Sequence, residues 1–198
     1  MFIQVIQGKV SDPQRMKREL ERWRKEVKPG AKGYLGSTGG ATDDGRFITM
    51  VRFESEADAA ANSKRPEQGA WWAEASKAID GEVTFHDCTE VDTAFGGGTN
   101  DAGFVQIIQG RSKDEATMRK TAPEIESQIR EGRPDILGIV MAWHGDASFT
   151  EAVYFTSEAA ARSGEQTMQS DPNYQKFMDL IDTGAGMAFY DLKDPDFD

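Results

Sequence analysis

Arg52 stands between Val51 and Phe53 in a stretch, Phe47 to Phe53, that otherwise reads as a strand. A charge on a buried face needs a partner or a ligand. Two readings follow: a guanidinium that holds a carboxylate or enolate oxygen, or one that pairs with an acid across the sheet or reaches water at a strand end. His86 lies in another strand-like stretch, Val83 to Cys88, where an imidazole serves as a general base, a haem ligand or a structural hydrogen-bonding group. A metal site there fails on geometry. Neighbouring strand residues face opposite sides, so only His86 and Cys88 converge, and two ligands are few. Asn62, Arg65, Trp71 and Trp72 crowd around a helix break near Pro66. Adjacent helical residues point about 100° apart, so Trp71 and Trp72 cannot share one pocket; at least one belongs to the core. His144, beside Trp143 near a hairpin turn, is expected at the surface or at a rim. Cys88 has no histidine at a convincing spacing and carries little weight as a nucleophile.

The elements that must position these residues occur twice. FIQVIQG at Phe2 to Gly8 returns as FVQIIQG at Phe104 to Gly110, an offset of 102 positions. The same offset relates Met16 to Met118, Gly36 to Gly138, Phe53-Glu54-Ser55-Glu56-Ala57 to Phe155-Thr156-Ser157-Glu158-Ala159, and Ile79-Asp80 to Ile181-Asp182. Such persistence marks an internal duplication. In each copy an apolar strand comes first. Asp12-Pro13 then caps a helix whose Met16, Leu20, Trp23 and Val27 recur at helical spacing, matched by Met118, Ala122, Ile125 and Ile129. Pro123 within the second stripe predicts a kink or a late start. Two strands around Asp43-Asp44-Gly45 follow, then a broken helix and a closing strand. The order is βαββαβ, twice.

The expected organisation is therefore a first ferredoxin-like repeat over residues 1–93, a Gly-rich linker over 94–103, a second repeat over 104–194 and a tail over 195–198. Gly96-Gly97-Gly98 lacks the strand-to-helix setting of a phosphate loop, and a linker explains it. Helices cover one face of each sheet, and the other face is also apolar, so the second copy is its expected partner.

With the paired strands and the constant offset, the pattern resembles the dimeric α+β barrel superfamily, which includes the antibiotic-biosynthesis monooxygenase-like proteins. The resemblance implies an α+β fold in which two repeats pack sheet to sheet as one intramolecular, pseudo-dimeric barrel. It implies a small-molecule-binding protein, and a cofactor-independent monooxygenase acting on an aromatic or polyketide-like substrate as one reading. Arg52, Asn62 and His86 would then be catalytic, with Arg65, Trp71 and Trp72 binding substrate. An indole stacks on the ring system, an amide donates a hydrogen bond, and an arginine stabilises an enolate. No cofactor is expected in that reading; a haem-binding variant would use His86 or His144. The alternative is a non-catalytic binding or assembly protein. At the 102 offset Asn62, Arg65, Trp71 and Trp72 become Gly164, Thr167, Asn173 and Tyr174. If a site exists, the halves are thus not equivalent and the first is the better candidate; the enzyme reading requires an enclosed pocket beside Trp71 or Trp72 or a shielded Arg52.

Charge and composition narrow the partners. The net charge is −11, against nucleic-acid binding. It is uneven: residues 1–98 carry a net of −2 and residues 99–198 a net of −9. The basic run Arg15 to Lys28 alternates with acids and reads as a solvated helix face. No apolar run approaches the roughly 20 residues of a membrane helix. One cysteine rules out an internal disulfide and, with no signal-like segment, suggests a cytoplasmic protein. The expected partner is a small hydrophobic or aromatic ligand, with higher oligomers open.

Overall fold

A computed structural model describes residues 1–198. The chain forms two units, one of Met1–Thr89 with Asp196–Asp198 and one of Glu90–Pro195.

In the first unit, β1 (Phe2–Val10) leads into α1 (Pro13–Arg22), whose Asp12 cap accepts a bond from the Arg15 N–H at 2.9 Å. The wound chain continues through Trp23–Val27 before β2 (Tyr34–Ala41) and β3 (Arg46–Phe53). Ser55 caps α2 (Glu56–Ser63), Pro66 opens α3 (Pro66–Ala75), and β4 (Ile79–Cys88) closes the repeat. The second unit begins with β5 (Glu90–Ala94), then repeats the pattern as β6 (Phe104–Arg111), α4 (Glu115–Ile129), β7 (Ile136–Trp143), β8 (Ser148–Phe155), α5 (Glu158–Met168), α6 (Pro172–Asp179) and β9 (Ala188–Leu192). A last short strand, β10 (Asp196–Phe197), belongs to the first unit. Pro123 sits inside α4, which starts at Glu115 without delay.

Each unit is a ferredoxin-like repeat with one added strand. The antiparallel sheets run β10-β2-β3-β1-β4 and β5-β7-β8-β6-β9. The expected barrel is not there. A barrel requires the first and last strands of a sheet to hydrogen-bond, whereas β10 and β4, and likewise β5 and β9, are open edges. The short fifth strand extends each sheet at its β2 or β7 edge instead of closing it. No helix is long and apolar enough to cross a membrane.

Glycines permit those edge additions. Both sheets shift register at the same place, between Tyr34 and Gly36 and between Ile136 and Gly138. Gly36 has φ +131°, and a Cβ there would lie 2.5 Å from the Asp198 carbonyl oxygen. A Cβ on Gly138 would lie 1.6 Å from the Gly97 carbonyl oxygen. A side chain at either position would push the neighbouring segment away.

Side chains fasten the added strands. Arg24 and Lys28 bond the carboxylates of Asp196 and Asp198, and Tyr34 donates to Asp198 at 3.2 Å. Those two cations of the basic run therefore hold a strand rather than facing only water. In the second unit, Arg119 bonds Glu90 at 2.9 Å and Asp92 at 3.1 Å, and the Trp143 indole N–H bonds Asp92 at 2.8 Å.

Candidate functional site

Alternation along β8 puts Phe149, Glu151, Val153 and Phe155 on one face of the second sheet. Glu151 is the anomaly, a carboxylate only 8% exposed among buried apolar neighbours. It pairs across the ladder with Ile108 on β6 and Met141 on β7. These residues form one wall of a cavity of about 690 Å³ whose other walls come from α4, α5 and α6. The volume is that of a small-molecule site, and its lining is mainly apolar. Trp143, Phe177 and Phe189 supply aromatic surface, and five methionines, Met118, Met141, Met168, Met178 and Met187, supply adaptable surface.

The first repeat fills the comparable space. Trp23 and Tyr34 meet edge-on with ring centroids 5.0 Å apart, Trp23 and Trp71 at 6.3 Å, Trp71 and Trp72 at 5.9 Å, and Trp72 and Phe85 at 5.8 Å. At the 102 offset Trp23 becomes Ile125 and Tyr34 becomes Ile136, and both isoleucines line the cavity. Leu20 becomes Ala122, also in the lining. Loss of two large rings and a Leu-to-Ala exchange leave the second repeat open. The helical frame differs too. Pro66 and Pro172 open corresponding helices, and α6 has 8 residues where α3 has 10.

Glu151 is isolated electrostatically. No side chain bonds its carboxylate, and burial alone pushes its pKa up to about 7. The cavity's arginines are already engaged. Arg119 is held by Glu90 and Asp92, and Arg133 makes a two-pronged bond to Asp135 at 2.9 and 2.8 Å. Arg162 lies against Glu165 and Asp191. Gln106, one diagonal step from Glu151 on the same face, donates to Asp191 at 2.9 Å. A lone buried carboxylate of this kind can take a proton near neutrality or pair with a cation.

Of the residues singled out from the sequence, Arg52, Asn62, Arg65, Trp71, Trp72, His86 and Cys88 lie in the first unit and His144 in the second, and none of them lines this cavity. Asn62 and Arg65 do come together: the Arg65 guanidinium donates to the Asn62 side chain at 3.0 Å and to the Val27 carbonyl at 3.1 Å. Trp71 is buried beside them, its indole N–H bonded to the Glu19 carbonyl at 2.7 Å. Trp72 is half-buried on the neighbouring face. Arg52 is separate, half-buried and bonded to the Thr38 hydroxyl at 2.9 Å, close to Asp198. His86 is half-buried on β4 opposite Val5, and burial, with Asp87 nearby, pushes the Cys88 thiol up to about 12. His144 contacts the Thr150 hydroxyl at 2.9 Å. Neither histidine lines the cavity, so its donor set does not fit a histidine-ligated haem.

Arg65 has a counterpart in space rather than in sequence. Its guanidinium lies where a Cβ on Gly30 would fall, at 2.2 Å. In the second repeat the arginine comes from the other side: Arg133 lies where a Cβ on Gly164 would fall, at 2.5 Å, and Gly164 is the offset partner of Asn62. The glycine and the arginine have exchanged elements. Glu151 itself is absent from the sequence-derived candidates, although the signal that marks Arg52 marks it too: a charge within an apolar strand, here with Thr49 at the equivalent position.

No family model matches the chain, and no curated protein matches it. Solved structures do. A candidate monooxygenase from Lactobacillus acidophilus matches 96% of this chain and 92% of its own, with TM-score 0.69 and 12% identity. One from Fusobacterium nucleatum matches 96% and 90%, with TM-score 0.67 and 12% identity. An anthrone oxidase-like protein matches 99% and 93%, with TM-score 0.64 and 12% identity. At these identities the likeness establishes a shared two-repeat fold and no activity.

Proposed function

We propose that this chain is a small-molecule-binding protein whose site is the cavity of the second repeat, and that its ligand is an aromatic or polyketide-like molecule. The observation that carries the reading is the replacement of the Trp23–Tyr34 ring pair by Ile125 and Ile136, beside a cavity of about 690 Å³. Methionine and aromatic side chains there offer polarizable contacts to a flat ring system. The structural neighbours named as monooxygenases and as anthrone oxidase-like favour an oxygenase reaction on that ligand. In such a reaction the protein holds the ring against β7 and β8 and offers Glu151 as a proton acceptor.

The test combines binding and turnover. Wild-type protein is titrated with dithranol, a hydroxylated anthrone, and oxygen uptake is followed. Saturable binding that weakens in Ile125→Trp supports the site. Oxygen uptake above the spontaneous rate, lost in the same variant, supports the oxygenase. Binding without uptake leaves the second reading, a non-catalytic binding protein. Absence of binding rejects the cavity as the site for this ligand class.

A further inference from the structure

The cavity contains a charge imbalance that an aromatic ligand alone does not resolve. Five carboxylates, those of Asp92, Glu126, Glu151, Glu165 and Asp191, face it against three guanidinium groups. Asp92 has Arg119, Glu126 has Arg130, and Asp191 and Glu165 share Arg162. Arg133, the third guanidinium, is occupied by Asp135. Glu151 has no cation, is more than nine-tenths buried, and opens onto the cavity with Phe149 and Met141 beside it.

We infer that the ligand of the second-repeat cavity carries a protonated nitrogen, and that Glu151 is the residue that binds it. The inference rests on the proposed function for the location of the site and specifies the chemistry of its ligand. An anionic ligand would face the acidic excess without a free arginine to receive it. Above about pH 7 a neutral ligand would leave an ionised Glu151 buried and unpaired, a costly arrangement for a carboxylate. An ammonium group supplies the missing charge and donates hydrogen bonds to both oxygens. The rings of Trp143 and Phe149, packed at 5.8 Å between centroids, add favourable electrostatics for a cation nearby.

Binding of such a cation should depend on pH through Glu151. The other charged groups facing the cavity are the paired acids and arginines named above, and Tyr174 from α6 is its remaining titratable group. The arginines keep their charge throughout the neutral range. As pH falls through about 7 the Glu151 carboxyl takes up a proton and loses its hold on the cation.

The experiment compares three naphthalene probes of similar size: 2-(1-naphthyl)ethylamine, 2-(1-naphthyl)ethanol and 1-naphthylacetate. Affinities are measured by calorimetry on the full chain at about pH 8 and about pH 5.5, the amine remaining protonated at both. The expected result at the higher pH is amine binding about tenfold or more tighter than the alcohol, with the acetate weakest. Glu151→Gln should bring the amine down to the affinity that the variant has for the alcohol. In the wild type, acidification alone should erase the same preference, which keeps the test available whatever the variant's folding yield. Equal binding of amine and alcohol to wild type overturns this inference and leaves the aromatic site standing. A preference that survives Glu151→Gln overturns it too. If none of the three probes binds, the site reading itself fails.

Discussion

The two repeats share an order of elements and a sheet topology, yet aromatic rings pack together in one where the other holds a cavity. The difference lies in a few side chains on a common frame. In the first, the edge-on rings of Trp23, Tyr34 and Trp71 occupy the space between helices and sheet. In the second, Ile125 and Ile136 withdraw from it, and a carboxylate stands in the exposed wall. Gene doubling lets one copy keep its aromatic packing while the other opens a cavity. A homodimer could not divide the labour in this way, since both halves would carry every change.

That contrast can be broken at its strongest point. Trp71→Ala removes a buried, hydrogen-bonded indole from the closed repeat and should cost about 3–5 kcal/mol in chemical denaturation. It should leave binding in the open repeat intact. The reciprocal change, Ile125→Trp with Ile136→Tyr, rebuilds the ring pair in the second repeat. It should lower affinity for dithranol by about tenfold or more, as isothermal titration would show, because the ligand and the new rings claim the same volume.

How far the sequence anticipates this contrast depends on the range of the interactions involved. Periodicity and caps are local, so the βαββαβ order, the Asp12 and Ser55 caps and the hairpin at Gly45 are readable from the residues. The fifth strand of each sheet is not. Glu90–Ala94 and Asp196–Phe197 are short and polar, and only their distant partners, β7 and β2, make them strands. The barrel expectation fails for the same reason, since an edge that receives a short extra strand looks no different in sequence from one that closes. Arg24 and Lys28 alternate with acids and read as solvated, while their partners stand 172 and 170 positions away. The cavity is invisible because it arises from what neighbouring elements fail to fill. Glu151 was legible in principle: a charge inside Phe149–Phe155 breaks the apolar face as Arg52 does in β3.

A subtler prediction concerns pH. Folding holds the Glu151 pKa at about 7, above the 4.5 of an ordinary glutamate. Any stability that its protonated form retains is fully present below about pH 4.5 and is lost as pH rises through about 7. Glu151→Gln escapes that loss. The variant should match wild type in acid and exceed it above neutrality, by about 3 kcal/mol in urea denaturation followed across pH.

The smallest effect is expected at the edge clamps. Arg24→Gln removes a partly exposed ion pair to Asp196 and should change stability by about 1 kcal/mol or less, diminishing further with salt. A large loss in thermal unfolding would mean that β10 is more central to the first sheet than its two residues suggest.

Methionine methyl groups report most directly on where a ligand goes. Five of the eight methionines line the second-repeat cavity, whereas Met16 and Met50 belong to the first repeat. In a protein labelled with 13C at the methionine methyls, titration with 2-(1-naphthyl)ethanol should shift Met118, Met141, Met168, Met178 and Met187 and leave Met16 and Met50 in place. Shifts confined to Met16 and Met50 would put the ligand in the first repeat, and would contradict the account.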